Sequence, residues 1–204
     1  MSEKSKILGV IGGMGPLATQ LFYGMIIEKT KAHCDRDHLD MVILNHASMP
    51  DRTEAILSGK TEEICTNLIQ DASILAQAGA SYIAVPCNTS HYFLGLVRNE
   101  MALPYINMPE VAAEKVKCLH PGARVAVLAT TGTMRIGLYH DALEANGLTV
   151  VTPSEESQRL IMSIIYDDIK AGREPNPETF RAVERELLQA KADCAVLACT
   201  ELSC

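Results

Sequence analysis

No apolar run in this 204-residue sequence approaches the ~20 residues that a helical bilayer span requires, so no membrane-crossing helix is expected. Low-complexity tracts are also missing. With 48% hydrophobic and 21% charged residues, the composition is that of a globular chain large enough for one big domain or two small ones. There is no basic excess: 18 Lys and Arg stand against 25 Asp and Glu, for a net charge of −7. That balance argues against nucleic acid or an anionic membrane as the main partner. It also sets a problem, because an anionic ligand would need local cations or helix N-termini to overcome the global field. The start, Met1 to Lys6, is short and polar, and Ile7–Ile11 is too brief for the apolar region of a signal peptide, so the expected location is the cytoplasm. The seven cysteines are an odd number, and a disulfide framework is not expected in such a chain. Cys194, Cys199 and Cys204 are spaced with four residues between neighbours, which matches no usual zinc pattern, and no metal is expected.

What is present is an alternation of short apolar runs with helical patterns. Strands are predicted at Ile7–Ile11, Met41–Asn45, Tyr82–Val85, Val125–Ala129, Thr149–Val151 and Cys194–Ala198. Between them, Leu17–Lys31 carries apolar residues at Leu21, Met25 and Ile26, and Glu62–Ala78 places Ile64, Leu68, Ala72 and Leu75 on one face. Pro177–Ala190 begins behind Asn176, a good N-cap. Continuous apolar runs, without apolar/polar alternation, indicate parallel sheet covered on both sides, so the fold class is α/β. A weak internal repeat goes further. Ala78–Cys87 lines up with Ala190–Cys199, and Ile7–Ile11 followed by a Gly-rich turn resembles Val125–Ala129 followed by Thr-Thr-Gly-Thr. Two pseudo-symmetric lobes are therefore expected, each a mostly parallel sheet flanked by helices, with boundaries 1–108 and 109–204.

Each repeat delivers a cysteine at the carboxyl end of a strand, where open parallel sheets form their ligand crevice. These are Cys87-Asn88-Thr89 and Cys199-Thr200-Glu201. Asn88 or Thr89 is placed to cap a helix over His91–Asn99, whose N-terminus would attract carboxylate and favour thiolate. Inverting an α-carbon without an electron-sink cofactor requires a base on one face and an acid on the other, and a thiolate/thiol pair supplies both. Cys34, Cys65, Cys118 and Cys194 are expected to be small buried hydrophobes. The loop Gly12-Gly13-Met14-Gly15 loosely satisfies a dinucleotide fingerprint, Gly13-x-Gly15-x-x-Ala18, but the second strand ends in Asn45-His46 without the acidic residue that pattern wants. The better reading is backbone N–H groups around Met14 holding a substrate carboxylate, with Thr130–Thr133 adding hydroxyl donors. Arg52 can fork a side-chain carboxylate or merely pair with Asp51 or Glu54. Lys170 is locally a helix C-terminal cation, and His91 a residue that supports a helix start.

Gly12–Thr19, Pro50-Asp51-Arg52-Thr53, Pro86-Cys87-Asn88-Thr89, Leu128–Thr133 and Cys199-Thr200-Glu201, in that order, resemble the aspartate/glutamate racemase family, most closely its aspartate racemase branch. The resemblance implies an isomerase of two α/β lobes that works without pyridoxal phosphate or any other cofactor. It implies a homodimer acting on a small acidic amino acid. Cys87 and Cys199 are then the acid/base pair. Met14, Asn88, Thr89, Thr131, Thr133 and Thr200 contact substrate, and Arg52 and Lys170 read its side-chain carboxylate. Ala198 departs from the usual glycine before the second cysteine. Family members continue for roughly another helix and strand after that motif, so a chain extending past Cys204 is expected. The same scaffold also fits maleate isomerisation, decarboxylation of a malonate, or non-catalytic binding of an acidic amino acid.

Overall fold

The computed structural model describes residues 6–203; the polar start, residues 1–5, and Cys204 of the evenly spaced cysteine series lie outside them. Two three-stranded parallel sheets flanked by helices make up the fold. In the first, β1 (Ile7–Gly12) runs between β2 (Met41–Asn45) and β3 (Ala80–Ala84). In the second, β4 (Arg124–Leu128) runs between β5 (Thr149–Val151) and β6 (Cys194–Leu197). The first sheet is connected by α1 (Pro16–Lys29), α2 (Arg52–Ser58) and α3 (Glu62–Gln77), and α4 (Ser90–Leu96) follows β3. Helix α5 (Met108–Leu119) leads into β4, followed by α6 (Thr131–Arg135), α7 (Leu138–Ala145), α8 (Glu155–Met162) and α9 (Pro177–Gln189). Helix α8 continues as a π-helical turn over Ser163–Ile169, and a 3₁₀ turn over Thr200–Ser203 follows β6.

Strand periodicity explains the covering. Along β4, Val125 and Val127 point into one core with Leu143 and Ala113, while Ala126 and Leu128 point into another with Ile161, Ile165 and Val183. Both faces of that strand are buried, as an apolar run without alternation requires. On the first sheet, Ile64, Leu68, Ala72 and Leu75 of α3 pack beneath Ile11 and Ile83, and each is fully buried. A large aliphatic side chain in such a position contributes about 1.5–3 kcal/mol by leaving water. Asn176 caps α9 as expected, its Oδ1 accepting from Glu178 N at 3.0 Å.

Helix α1 departs from expectation. Leu21 and Met25 are exposed, along with Leu17, Tyr23 and Ile27, while the buried residues are Ala18 and Thr19. Its apolar residues are spread around the helix, so no single stripe faces the sheet. The docking is instead set by small residues close to the Gly-rich turn. Gly13 has a φ of +90°, and a Cβ there would lie 2.5 Å from the backbone carbon of His46. Only glycine permits both the conformation and the approach. His46 is itself anchored to α3 by its Nδ1, 2.8 Å from Asp71 Oδ2.

Candidate functional site

Where the strands of both sheets end, a narrow cleft is lined from both sides. Cys87, just beyond β3, and Cys199, just beyond β6, both face it, and each is 6% exposed. The two cysteines reach the cleft by the same local route, yet their surroundings differ.

Around Cys87 the partners are neutral. Asn88 accepts a short hydrogen bond from the Tyr139 hydroxyl. Thr89 Oγ1 lies 2.8 Å from Thr133 Oγ1 and 3.3 Å from Thr130 Oγ1, joining the end of β3 to the start of α6. The buried His91 places Nδ1 3.0 Å from the Cys87 carbonyl and Nε2 3.2 Å from that of Ile106. Burial holds its pKa below the usual value, against the pull of those carbonyls. The ring braces the turn from behind, outside the cleft lining. The expected side-chain cap on the following helix does not form. Thr89 occupies the N-cap position in a helical conformation, and its hydroxyl is turned to the threonines of α6. Helix α4 has only seven residues.

Around Cys199 the partners are charged. Its thiol donates to Glu201 Oε2 at 3.0 Å, and the other carboxylate oxygen accepts from Lys170 Nζ at 2.7 Å. Lys170 also lies 5.6 Å from the centre of the Tyr166 ring. Burial, then the charge and hydrogen bond of Glu201, push the Cys199 thiol well above the ordinary cysteine range. Burial alone would raise Glu201, but the Lys170 ammonium and the bonds from Cys199 and Lys170 bring it net below the usual carboxylate value. Cys199 is therefore held as a protonated thiol.

Arg52, the first residue of α2, also lines the cleft and is 9% exposed. Asp51 caps that helix by accepting from Glu54 N at 2.8 Å. The guanidinium pairs with neither Asp51 nor Glu54; Nη1 donates to the carbonyls of Met49 and Pro50 at 3.1 and 2.7 Å. Its buried Nε has no hydrogen-bond partner among the described residues. A buried donor left unmatched is costly. Tyr166, from the π-helical turn, completes the wall by donating to Asp51 Oδ2 at 2.9 Å.

Of the residues singled out from sequence, Met14, Arg52, Cys87, Asn88, Thr89, Lys170, Cys199 and Thr200 all line the cleft. Thr131 and Thr133 do not. Thr130 takes their place on the wall, because it caps α6 and so turns toward the cleft, accepting from Thr133 N. Thr133 supports Thr89 from behind, and Thr131 accepts from Gln158 at 3.5 Å. Asp51, Thr53, Tyr166 and Glu201 were missed as wall residues, although Asp51 and Thr53 flank Arg52 and Glu201 belongs to the Cys199-Thr200-Glu201 motif. The Gly13 N–H is taken by Thr19 Oγ1 at 2.9 Å and is not offered to a ligand. The reading of four other cysteines as buried hydrophobes is corrected. Cys34, in the loop after α1, and Cys118, in the last turn of α5, are exposed because neither meets a core. Cys65 and Cys194 are half-buried, each packed only against the margin of one. No cluster of three or more His, Cys, Asp or Glu able to hold a metal occurs among the described residues.

Comparison with known proteins places this arrangement in context. The model of the Asp/Glu/hydantoin racemase family matches residues 11–204. The broad specificity amino-acid racemase RacX of Bacillus subtilis is 25% identical over 97% of this chain and 86% of its own. The aspartate racemase of Picrophilus torridus superposes with a TM-score of 0.84 at 29% identity, covering 98% of this chain and 83% of that one. An aspartate racemase homologue from Pyrococcus horikoshii gives 0.75 at 27% identity, covering 98% and 87%.

Proposed function

The chain belongs to the Asp/Glu/hydantoin racemase family, and from that premise we propose that it interconverts L- and D-aspartate in the cleft, with Cys87 and Cys199 as base and acid on opposite faces of the α-carbon. The observation that carries the reading is the pair itself: two cysteines from equivalent strand ends of two sheets line one cleft that also presents a buried, partly unpaired arginine.

With Cys199 held protonated, Cys87 is the base in the resting direction. Its thiolate takes the α-proton from one face, breaking the C–H bond and leaving the electron pair delocalised into the α-carboxylate. The Cys199 thiol then delivers its proton to the opposite face, and the reverse reaction exchanges the roles. A positioned acid or base of this kind is worth about 10²–10⁴ in rate. Glu201 orients the Cys199 S–H and, as an anion, resists its ionisation. Arg52 receives the substrate's side-chain carboxylate through its free Nε edge, and the ammonium of Lys170 adds attraction while remaining tied to Glu201. Met14, Asn88, Thr89, Thr130 and Thr200 shape the remaining walls. No cofactor takes part in this scheme.

The reading includes two lobes, 1–108 and 109–204, one for each sheet. It also includes a cytoplasmic homodimer. The exposed Leu17, Tyr23, Met25 and Ile27 on α1 are the surface best suited to a second copy.

Proton NMR in D₂O tests it. L-aspartate and D-aspartate, incubated separately with reductant and no added cofactor, should both lose the α-proton signal and invert. L- and D-glutamate in parallel tubes decide substrate preference. No exchange with either amino acid would turn attention to the isomerase, decarboxylase and binding alternatives.

A further inference from the structure

The cleft has a neighbour. On the outer side of Asp51, Thr53 and Tyr166 lies a second groove, open to solvent and lined also by Glu54, Leu57, Ser58 and Met162. Asp51, Thr53 and Tyr166 line both spaces, so they form the partition between them. The partition is closed by hydrogen bonds between distant segments: Tyr166 Oη reaches the two Asp51 carboxylate oxygens at 2.9 and 3.2 Å and also bonds the Thr53 side chain. Each partner is also fixed from its own side. Asp51 caps α2, and the Tyr166 ring lies under the Lys170 ammonium. Burial, foremost, and the nearby Asp51 carboxylate raise the Tyr166 pKa, so the phenol stays a donor.

We propose that the Tyr166–Asp51 pair is a substrate-length wall. Closed, it confines the ligand to a small cleft with cationic groups at its edge. Opened, it joins that cleft to a groove carrying Leu57 and Met162 with Glu54 beside them, where a longer amino-acid side chain has room. Discrimination of this kind suits the chemistry, because all amino acids present the same reacting carbon and differ only in what extends beyond it. One methylene more or less in a pocket changes specificity by about 10–200-fold. The proposal rests on the reading that the cleft holds an amino acid, but not on its being racemised.

The test is calorimetric titration of wild type, Tyr166→Ala, Tyr166→Leu and Tyr166→Phe with L-aspartate, L-glutamate and L-2-aminoadipate. Wild type should bind aspartate at least about 10-fold more tightly than 2-aminoadipate. Tyr166→Ala should narrow that ratio to within about 3-fold, as the two spaces merge. Tyr166→Leu, which keeps apolar bulk and is the safer variant for folding, should narrow it in the same direction. Tyr166→Phe, which keeps the ring, should retain the wild-type order. A merely structural tyrosine would weaken all three ligands alike and leave the ratio unchanged. An unchanged ratio in both the Ala and Leu variants overturns the wall. So does wild-type protein that binds 2-aminoadipate as tightly as aspartate, or binds none of the three. If the binding order is as expected but no α-proton exchange occurs in D₂O, the racemase reading fails and the wall stands.

Discussion

The two cysteines are set by the same device and surrounded by opposite chemistry. Each follows the last residues of a strand lying on one side of the middle strand, β3 beside β1 and β6 beside β4. Each is buried to the same degree. Beside Cys87 are an amide, hydroxyls and a histidine on backbone carbonyls; beside Cys199 are a carboxylate and an ammonium. A repeated scaffold can therefore present two like groups to one cleft while different side chains stand next to each. Under the proposed function the Glu201–Lys170 pair is what distinguishes Cys199, holding its thiol proton, from Cys87.

The largest effect should come from removing either member of the pair. Cys87→Ala and Cys199→Ala should each reduce inversion of both enantiomers by about 10³-fold or more, since each direction needs a base and an acid. D₂O exchange with chiral chromatography checks this. A single-cysteine variant that still inverts at near the wild-type rate would break the comparison, because the two sites would then not be functional counterparts.

Next in size is Glu201→Gln, which erases the difference between the sites. Inversion should fall by about 10²-fold as the S–H loses its oriented acceptor. The pH dependence should move as well. The Cys199 pKa is raised first by burial and then by Glu201, so removing the carboxylate shifts it down, and the alkaline limb of the rate profile moves to lower pH. For stability, the Glu201 pKa is lowered on folding. Its contribution is present above the unfolded value of ~4.3 and is lost as pH falls through the folded value. Wild type should thus lose Tm in acid more steeply than Glu201→Gln. An alkaline limb that stays in place would show that Glu201 does not govern Cys199.

The scaffold behind this contrast was legible in sequence, whereas the different surroundings of the two cysteines were not. The strands were readable because both faces of β1 and β4 are covered and the runs are uninterrupted; β2 and β5 match their expected bounds residue for residue. The cysteines stood out because they repeat at strand ends. Short helices did not: α2 and α6, of seven and five residues, hold too little periodicity to see, yet α2 carries Arg52 and α6 presents Thr130. The wall at Tyr166 was invisible because its partner Asp51 is 115 residues away and a π-helical turn breaks the spacing that would have oriented the ring. Thr130 lines the cleft where Thr131 and Thr133 do not, since it is the N-cap of α6, a position that short helix left unmarked in the sequence.

Arg52→Lys sharpens the comparison at the cleft wall the two sites share. The charge survives, but the planar fork held by the Met49 and Pro50 carbonyls does not. The proposed function predicts KM for aspartate rising about 10–50-fold, on the scale of one lost charge-assisted hydrogen bond, with kcat changed less. A fall in kcat alone would place the arginine on the reacting carbon and not on the side-chain carboxylate.

The smallest effect belongs to the neutral site, and its smallness is the point. In Thr133→Val the 2.8 Å contact with Thr89 is lost, but Thr89 keeps Thr130 at 3.3 Å, so no buried hydroxyl is left without a partner. Net cost should stay near about 1 kcal/mol, the usual contribution of a neutral hydrogen bond, with inversion slowed only a few-fold. Breaking the charged site removes the anionic partner of Lys170, whereas breaking the neutral site lets a neighbouring hydroxyl substitute. Denaturant unfolding of Thr133→Val and Glu201→Gln in parallel measures the asymmetry. If Thr133→Val costs as much as Glu201→Gln at neutral pH, the threonine network is no more replaceable than the ion pair. The two halves would then differ in chemistry but not in tolerance.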